Sequence, residues 1–102
     1  MFDDINKIVL TGRLTHPPRT GMGKIKYAFY SIAVNKQYKD HKKTTYVNVA
    51  AFGNNADYVE HNLNKGNKVK IVGELSTDSN GELMVVAENQ ELKECPKNDE
   101  PF

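Results

Sequence analysis

The chain has 102 residues and a mass of 11.5 kDa, which is the size of one ordinary domain. Hydrophobic residues make up 38%, which allows a small core and argues against a large buried active-site cavity. The formal net charge of +1, taken alone, argues against a nucleic-acid partner. The single cysteine, Cys95, excludes an internal disulfide framework and a cysteine-ligated metal cluster.

Neither a membrane span nor a signal peptide is indicated by the sequence. The longest apolar run is only a few residues, too short to cross a bilayer. Asp3 and Asp4 stand where a signal peptide needs basic residues. We therefore expect a soluble, cytoplasmic, single-domain protein without a membrane partner.

Three strands are predicted in the first half of the chain. Residues 5–14 are rich in β-branched side chains and predict the first, with a bulge or bend at Gly12. His16-Pro17-Pro18 ends this strand, and residues 19–24 predict a glycine-containing loop. Residues 25–35 and 44–52 predict the second and third strands. Residues 36–43 between them are polar and basic and predict a loop or a mobile hairpin.

A helix and two further strands are predicted in the second half. Apolar side chains recur there at helical spacing, at Ala56, Val59 and Leu63. Asn54 or Asn55 is expected to cap the helix, and Gly66 to be the left-handed residue that ends it. Residues 68–75 and 83–92 predict the last two strands. The sequence Asp78-Ser79-Asn80-Gly81 between them predicts a hairpin, since Asn-Gly tolerates positive φ at both turn positions.

The order of these elements, β-β-β-α-β-β, indicates a closed sheet. An open sheet of five strands leaves two edges exposed, and closure into a barrel removes both. By analogy with known folds, we expect an all-β protein, a five-stranded Greek-key barrel with one α-helix between strands 3 and 4. This is the oligonucleotide/oligosaccharide-binding (OB) fold. The single predicted helix disfavours a ferredoxin-like sandwich.

The third predicted strand has two contrasting faces, because strand residues alternate. Val47, Val49 and Ala51 suit a core, which leaves Tyr46 and Phe52 on the opposite face. Exposed rings can stack on nucleic-acid bases. The alternative is that both rings pack in the core or in a subunit interface.

The small net charge averages two opposed regions. Residues 5–43 carry nine basic side chains and one acid, a net of +8, and the rest of the chain carries −7. Such asymmetry is typical of a surface that binds a phosphate backbone, although a solvated basic loop is the alternative. Tyr38 lies within the basic run, and this interleaving suits single-strand binding better than duplex recognition.

No catalytic set or metal site is indicated. His16, His41 and His61 lack the spacing of metal ligands. Gly21-Met22-Gly23-Lys24 lacks the spacing and the hydroxyl residue of a phosphate-binding loop, so a plain turn is expected. Cys95 has no evident base nearby in the sequence. We predict a protein that is not an enzyme and needs no cofactor or metal.

Several segments resemble the bacterial and phage single-stranded DNA-binding proteins. They are residues 5–14, 46–53, 63–69 and 71–75, and the resemblance extends over residues 5–92. It implies an OB domain over residues 1–92 that binds and protects single-stranded DNA in replication, recombination and repair. It also implies a homo-oligomer, with a tetramer expected and a dimer as the alternative, in the cytoplasm of a bacterial cell or phage-infected host and associated with the nucleoid.

The resemblance also implies particular contact residues. The family's stacking aromatics correspond to Tyr38, Tyr46 and Phe52, and two of its backbone contacts to Lys7 and Lys65. Asn54 stands where a lysine is common. A further aromatic has no counterpart in the short, acidic hairpin over residues 77–82, which implies a smaller DNA footprint. Together with the basic run, the predicted phosphate contacts are Lys7, Arg13, Lys36, Lys39, Lys42, Lys43 and Lys65.

The last residues of the sequence resemble the family's protein-docking tip. Residues 93–102 predict a short acidic tail whose tip is Asp99, Glu100, Pro101 and Phe102. The resemblance implies that this tip docks replication and repair proteins. Two other functions stay open: a primosomal-type OB module that acts mainly through protein docking, and a single-stranded RNA-binding module.

Overall fold

A computed structural model describes residues 4–94, which form six strands and one helix. In chain order these are β1 (Ile8–Leu14), β2 (Arg19–Met22), β3 (Lys26–Tyr38), β4 (His41–Phe52), α1 (Asn54–Asn62), β5 (Lys68–Thr77) and β6 (Leu83–Glu94). Within residues 4–94, no helix has the length and apolar character needed to cross a membrane. Cys95 and the predicted docking tip lie outside the described residues.

The five long strands close into a barrel. The order around it is β1-β5-β6-β4-β3, and β3 pairs with β1 again through Arg13–Ala33 and Leu14–Ile32. Neighbouring strands are antiparallel except β4 and β6, which run parallel. A Cβ on Gly12 would lie 2.7 Å from the carbonyl oxygen of Ala33. Glycine at this position therefore lets β1 approach β3 closely, where the sequence predicted a bulge or bend.

The barrel interior holds the apolar residues of every long strand and of α1. The prediction of a mostly β, five-stranded barrel with one helix between its third and fourth strands is confirmed. Helix α1 buries Ala56 and Val59, and Leu63 follows it into the core. The other buried core residues are Leu14, Ala28, Tyr30, Ile32, Val49, Ala51, Val69, Ile71, Val85 and Ala87.

Strand β2 occupies part of the segment that was expected to be a loop. The expectation of a loop over residues 19–24, and of a plain turn over residues 21–24, is wrong for residues 19–22. Their backbone pairs with Lys26–Phe29 at the edge of β3. A Cβ on Gly21 would collide with the hydroxyl end of Tyr27, so glycine makes room for that ring. A pairing partner, rather than strand-like composition, makes this segment a strand.

The basic segment over residues 36–43 is a regular hairpin. Strands β3 and β4 continue their ladder through Lys36–Lys43 to Tyr38–His41, which leaves a two-residue connection. Lys39 has φ of 41°, the left-handed conformation that a tight turn requires. The hairpin alternative of the sequence prediction is therefore confirmed.

Both helix-end predictions are wrong. Gly53, with φ of 63°, occupies the N-cap position and makes no side-chain cap. The Asn55 amide donates instead to the carbonyl oxygens of Ala87 and Glu88 at 3.2 and 3.3 Å, which fastens α1 to β6. The helix ends at Asn62. Gly66 has the expected positive φ, 86°, but it lies beyond the helix, where its N–H donates to the Leu14 carbonyl at 2.8 Å.

The acidic hairpin between β5 and β6 is organised by one carboxylate. Asp78 Oδ1 accepts the N–H groups of Asn80 and Glu82 at 2.8 and 3.0 Å. Gly81 has φ of 84°, and within the described residues Lys39 is the only non-glycine with positive φ. The predicted hairpin is confirmed, and the Asp78 side chain closes its turn with one left-handed residue, Gly81.

A buried hydrogen-bond relay joins the core to α1. The Tyr30 hydroxyl donates to Gln90 Oε1 at 2.6 Å, and Gln90 Nε2 donates to the Asn55 carbonyl at 3.0 Å. Burial raises the pKa of Tyr30, so the hydroxyl stays protonated to a higher pH than that of an exposed tyrosine. The relay satisfies polar groups that would be costly to bury alone.

Replacing Tyr30 with phenylalanine is expected to lower the free energy of unfolding by about 1–3 kcal/mol, because Gln90 Oε1 loses its donor inside the protein. Urea denaturation followed by circular dichroism measures this change. Tyr46→Phe is the matched control, since its hydroxyl is on an exposed residue. Equal stability of Tyr30→Phe and the parent chain would show that the relay does not stabilise the fold.

Candidate nucleic-acid interface

Strands β3 and β4 present an exposed outer face to solvent. Paired residues of antiparallel strands share a face, so Tyr46 lies beside Ala33 and Phe52 beside Tyr27. Tyr46 is 71% exposed and Phe52 40%, whereas Val49 and Ala51 are buried. The predicted exposed face of β4 is confirmed at Tyr46 and Phe52, whereas Ala50 on the same face is buried. Neither ring belongs to the core cluster of the described chain.

The first groove on this face, here called the Tyr46 groove, combines residues from distant parts of the sequence. Its volume is about 710 Å³, and its walls include Arg13 of β1, Lys42 and Tyr46 of β4, and Lys65 from the loop after α1. His16, from the segment after β1, also lines this groove. Three of the predicted phosphate contacts are thus brought together around one predicted stacking ring.

Two of the predicted phosphate contacts already have acidic partners. The Arg13 guanidinium donates to the Gly66 carbonyl at 2.9 Å and pairs with Glu94 at 2.9 Å. Lys7 pairs with Glu88 at 2.9 Å, and both side chains are well exposed. A phosphate would have to compete with these carboxylates, so we expect each of the two cations to contribute less than an unpaired lysine.

Tyr38 is not brought together with Tyr46 and Phe52. It pairs with His41, and strand alternation puts it on the opposite face of the β3–β4 ladder from Tyr46. Residues 35–46 of this hairpin are exposed, so both of its faces are open to solvent. Lys36 Nζ lies 5.3 Å from the centre of the Tyr38 ring, a cation–π contact. Lys39 and Lys43 are also exposed here.

A second groove on the same face, here called the Phe29 groove, contains residues that sequence reasoning missed. Its volume is about 440 Å³, and Arg19, Phe29 and Asn48 are among its walls. Phe29 is 42% exposed and meets Phe52 edge to face, with 6.4 Å between ring centres. The alternation of the predicted second strand was a usable signal, since Phe29 falls opposite the face of Tyr30.

An exposed cluster on α1 has the residue types of a metal site. Ligand atoms of Asp57, Glu60 and His61 lie within 4.8 Å of one another. The Lys26 ammonium occupies this cluster, at 2.8 Å from Asp57 and bonded also to Glu60. Its hydrogen bonds lower the pKa of both carboxyl groups, and the hydrogen bonds to Asp57 and Glu60 raise the pKa of Lys26. The arrangement is that of an ion-paired surface cluster.

The Lys26 cluster is expected to make stability depend on acid pH. Carboxyl groups of the unfolded chain titrate near pH 4, and the pKa values of Asp57 and Glu60 in the folded protein are lower. The ion pairs therefore stabilise the fold above about pH 4, and this stabilisation is lost as the pH falls through the folded pKa values. Between about pH 5 and 3, the melting temperature of Lys26→Gln should therefore fall less than that of the parent chain. Lys70→Gln is the control, and parallel curves for Lys26→Gln and the parent chain would contradict the linkage.

A closed barrel with aromatic rings and cations on one outer face is the architecture of a single-strand-binding OB module. The Single-strand binding protein family matches residues 5–92, and the chain belongs to that family. The resemblance seen in the sequence is thereby confirmed.

Curated relatives agree with this assignment. The Single-stranded DNA-binding protein of Fusobacterium nucleatum subsp. nucleatum is 30% identical over 105 aligned positions, gaps included, and the match covers 89% of this chain and 68% of the relative. That of Clostridium perfringens is 32% identical over 79 residues, covering 74% and 51%. Single-stranded DNA-binding protein 1 of Staphylococcus aureus (strain COL) is 31% identical, covering 72% and 47%. The chain thus spans about half the length of the latter two.

Solved structures share the fold at lower sequence identity. The second single-stranded DNA-binding protein of Mycobacterium smegmatis superimposes with a TM-score of 0.77 at 24% identity, covering 94% of this chain and 98% of that one. The protein PriB of Ralstonia solanacearum gives a TM-score of 0.74 at 14% identity, covering 89% and 100%. At these identities the likeness concerns the fold.

Proposed function

We propose that this chain binds single-stranded DNA with little regard to sequence and protects it during replication, recombination and repair. The observation that carries the proposal is the Tyr46 groove, where a largely exposed ring stands among Arg13, Lys42 and Lys65. Every base has a π-face, so a stacking ring accepts any base. The cations neutralise phosphates and release their counterions. These steps break no covalent bond, so the proposed activity is binding and not catalysis.

The proposed contacts fall into two chemical groups. Tyr38, Tyr46 and Phe52 stack bases, and Tyr38 would do so from the separate surface of the hairpin. Lysines of the hairpin have the freest access to phosphates, because Lys7 and Arg13 must first leave Glu88 and Glu94. The proposed phosphate contacts remain Lys7, Arg13, Lys36, Lys39, Lys42, Lys43 and Lys65.

The same proposal includes assembly into a homo-oligomer, a tetramer or alternatively a dimer. Strand β1 supports this, because within the described residues Ile8–Arg13 pairs with β5 while β3 reaches only Arg13 and Leu14. The remaining edge of β1 is a template for pairing with another chain, and Val9 is exposed beside it. The barrel is proposed to be a Greek-key OB fold over residues 1–92, acting in the cytoplasm of a bacterial cell or phage-infected host and associated with the nucleoid.

Titration of fluorescein-labelled oligo-dT, followed by anisotropy at several salt concentrations, tests the proposal. Saturable binding that weakens steeply with salt is the expected result. Competition with oligo-dA and with oligo-U of equal length measures tolerance of base and sugar. Absence of binding at low salt would overturn the proposal, and stronger competition by RNA would favour the RNA-binding alternative.

A protein-docking role is proposed for Asp99, Glu100, Pro101 and Phe102, which lie outside the described residues. Its support is chemical, since two carboxylates followed by Pro-Phe suit an apolar pocket with a basic rim on a replication or repair protein. Deleting Pro101 and Phe102 should leave oligo-dT affinity unchanged and abolish pull-down of those proteins. Retained pull-down would contradict the docking role, and pull-down retained by variants that no longer bind DNA would favour a primosomal-type docking module.

A further inference from the structure

Strand β2 places a cation directly beside an exposed aromatic ring. Arg19 of β2 is paired with Phe29 of β3, and paired residues of antiparallel strands share a face. Both side chains line the Phe29 groove. The sequence analysis assigns Arg19 to a loop and Phe29 to a strand, and predicts neither as a contact. The juxtaposition depends on the short edge strand and follows from no motif.

The Phe29 ring is supported from two sides and open on another. Phe52 meets it nearly at right angles, at 89°, and the centre of the Tyr27 ring lies 5.3 Å away. Gly21 leaves the space in which the Tyr27 ring lies. A ring held by neighbouring rings loses little conformational freedom when a base stacks on it. Phe29 nevertheless keeps 42% of its surface exposed, which leaves area for such a base.

The charges around the Phe29 groove favour one route for the phosphates. Arg19 is exposed, and a guanidinium can bind a phosphate through two parallel hydrogen bonds. Asp78 lies on the wall formed by the β5–β6 turn, where backbone N–H groups hold its carboxylate. A phosphate is repelled by Asp78 and attracted by Arg19, so the backbone of a bound strand should follow β2.

The two grooves adjoin on the outer face, because they share one lining residue. His16 lines both of them, between Tyr46 on one side and Phe29 on the other. Ser31 Oγ donates to Asn48 Oδ1 at 2.7 Å, and this polar pair lies on the face between the two rings. A single strand that occupies the Tyr46 groove can therefore continue past His16 into the Phe29 groove.

We infer that Phe29 and Arg19 form a second base-and-phosphate subsite, in which one base stacks on Phe29 and its phosphate pairs with Arg19. This subsite rests on the proposed function, because it extends the same DNA strand from the Tyr46 groove. It makes β2 a part of the binding surface and lengthens the path of the strand along each protomer.

Substitutions at the two residues test the subsite in the full-length chain. Phe29→Leu should weaken binding of long oligo-dT by about 10-fold, the effect of losing one stacked base. The loss should shrink for oligonucleotides too short to extend beyond the Tyr46 groove. Arg19→Gln should lower the slope of log affinity against log salt by about 0.7, as for one phosphate contact. Met22→Ala is the matched control for Phe29→Leu, and Lys24→Gln is the matched control for Arg19→Gln. Met22 is 72% exposed on β2, and neither control residue lines the Tyr46 groove or the Phe29 groove.

A tryptophan reporter at position 29 tests the subsite if Phe29→Leu does not fold. The chain has no tryptophan, so Phe29→Trp introduces a single fluorophore. Oligo-dT should quench its emission, whereas Met22→Trp should not respond. Two results would overturn the subsite while the parent chain still binds oligo-dT. In the first, the fluorescence of Phe29→Trp is not quenched; in the second, folded Phe29→Leu binds oligonucleotides of every length as tightly as the parent chain. In either case the proposed function stands. If the parent chain binds no oligo-dT, both are wrong.

Discussion

Replacing Tyr46 and Phe52 together with alanine is expected to weaken oligo-dT binding by about 100-fold. Each stacked base contributes about 1–3 kcal/mol to binding, and the two rings lie on the same exposed face of β4. The loss should change little with salt, because neither side chain carries charge. Weakening of this size and kind distinguishes stacking from a purely electrostatic attachment.

Anisotropy titrations at two salt concentrations measure this change. Leu83→Ala is a suitable control, since Leu83 is exposed on β6 and lines neither groove. Phe52 also meets the Phe29 ring, so the single variant Tyr46→Ala, with an expected loss of about 10-fold, isolates one ring from the aromatic cluster. Affinities within twofold of the parent chain would mean that bases do not stack on this face.

The face of β4 that carries these rings was predictable because its two faces differ sharply. Val47, Val49 and Ala51 alternate with Tyr46, Asn48, Ala50 and Phe52, and only the first of these sets is apolar throughout and small enough to fill a barrel core. Strand β3 has rings on both faces, with Tyr30 inside and Phe29 outside. Alternation alone separates the two sets there, and only the closed barrel decides which set is buried.

The errors at β2 and at the ends of α1 share a physical cause, which is contact between residues far apart in the chain. Strand β2 exists because β3 offers it an edge, and its own residues carry no strand pattern. Asn55 does not cap α1 because Gly53 occupies the N-cap position, and the Asn55 side-chain N–H groups donate to the carbonyl groups of Ala87 and Glu88. Local rules for loops and caps have no access to such partners.

The sequence predicted that residues 5–43 carry an excess of positive charge, but it could not predict which of these cations are free of acidic partners. Of the nine basic residues in residues 5–43, Lys7 and Arg13 pair with acids of β6, and Lys26 pairs with acids of α1. These partners lie between 31 and 81 positions away in the sequence. Pairing thus neutralises part of the excess and leaves the lysines of the β3–β4 hairpin as its most accessible part.

The hairpin lysines should therefore account for much of the salt dependence of binding. The variant Lys39→Gln/Lys42→Gln/Lys43→Gln is expected to lower the slope of log affinity against log salt by about 2, at roughly 0.7 for each phosphate neutralised. Lys36 is left in place because it lies over the Tyr38 ring. Affinity at low salt should fall as well, while binding at high salt, where stacking dominates, should change less.

A variant with the same change in net charge separates location from total charge. Lys24→Gln/Lys70→Gln/Lys93→Gln removes three positive charges from positions that line neither groove and lie outside the hairpin. If the hairpin is the phosphate-binding surface, this control should keep nearly the full salt slope of the parent chain. Equal slopes for the two triple variants would mean that the long-range field of the protein, and not the hairpin, attracts the DNA.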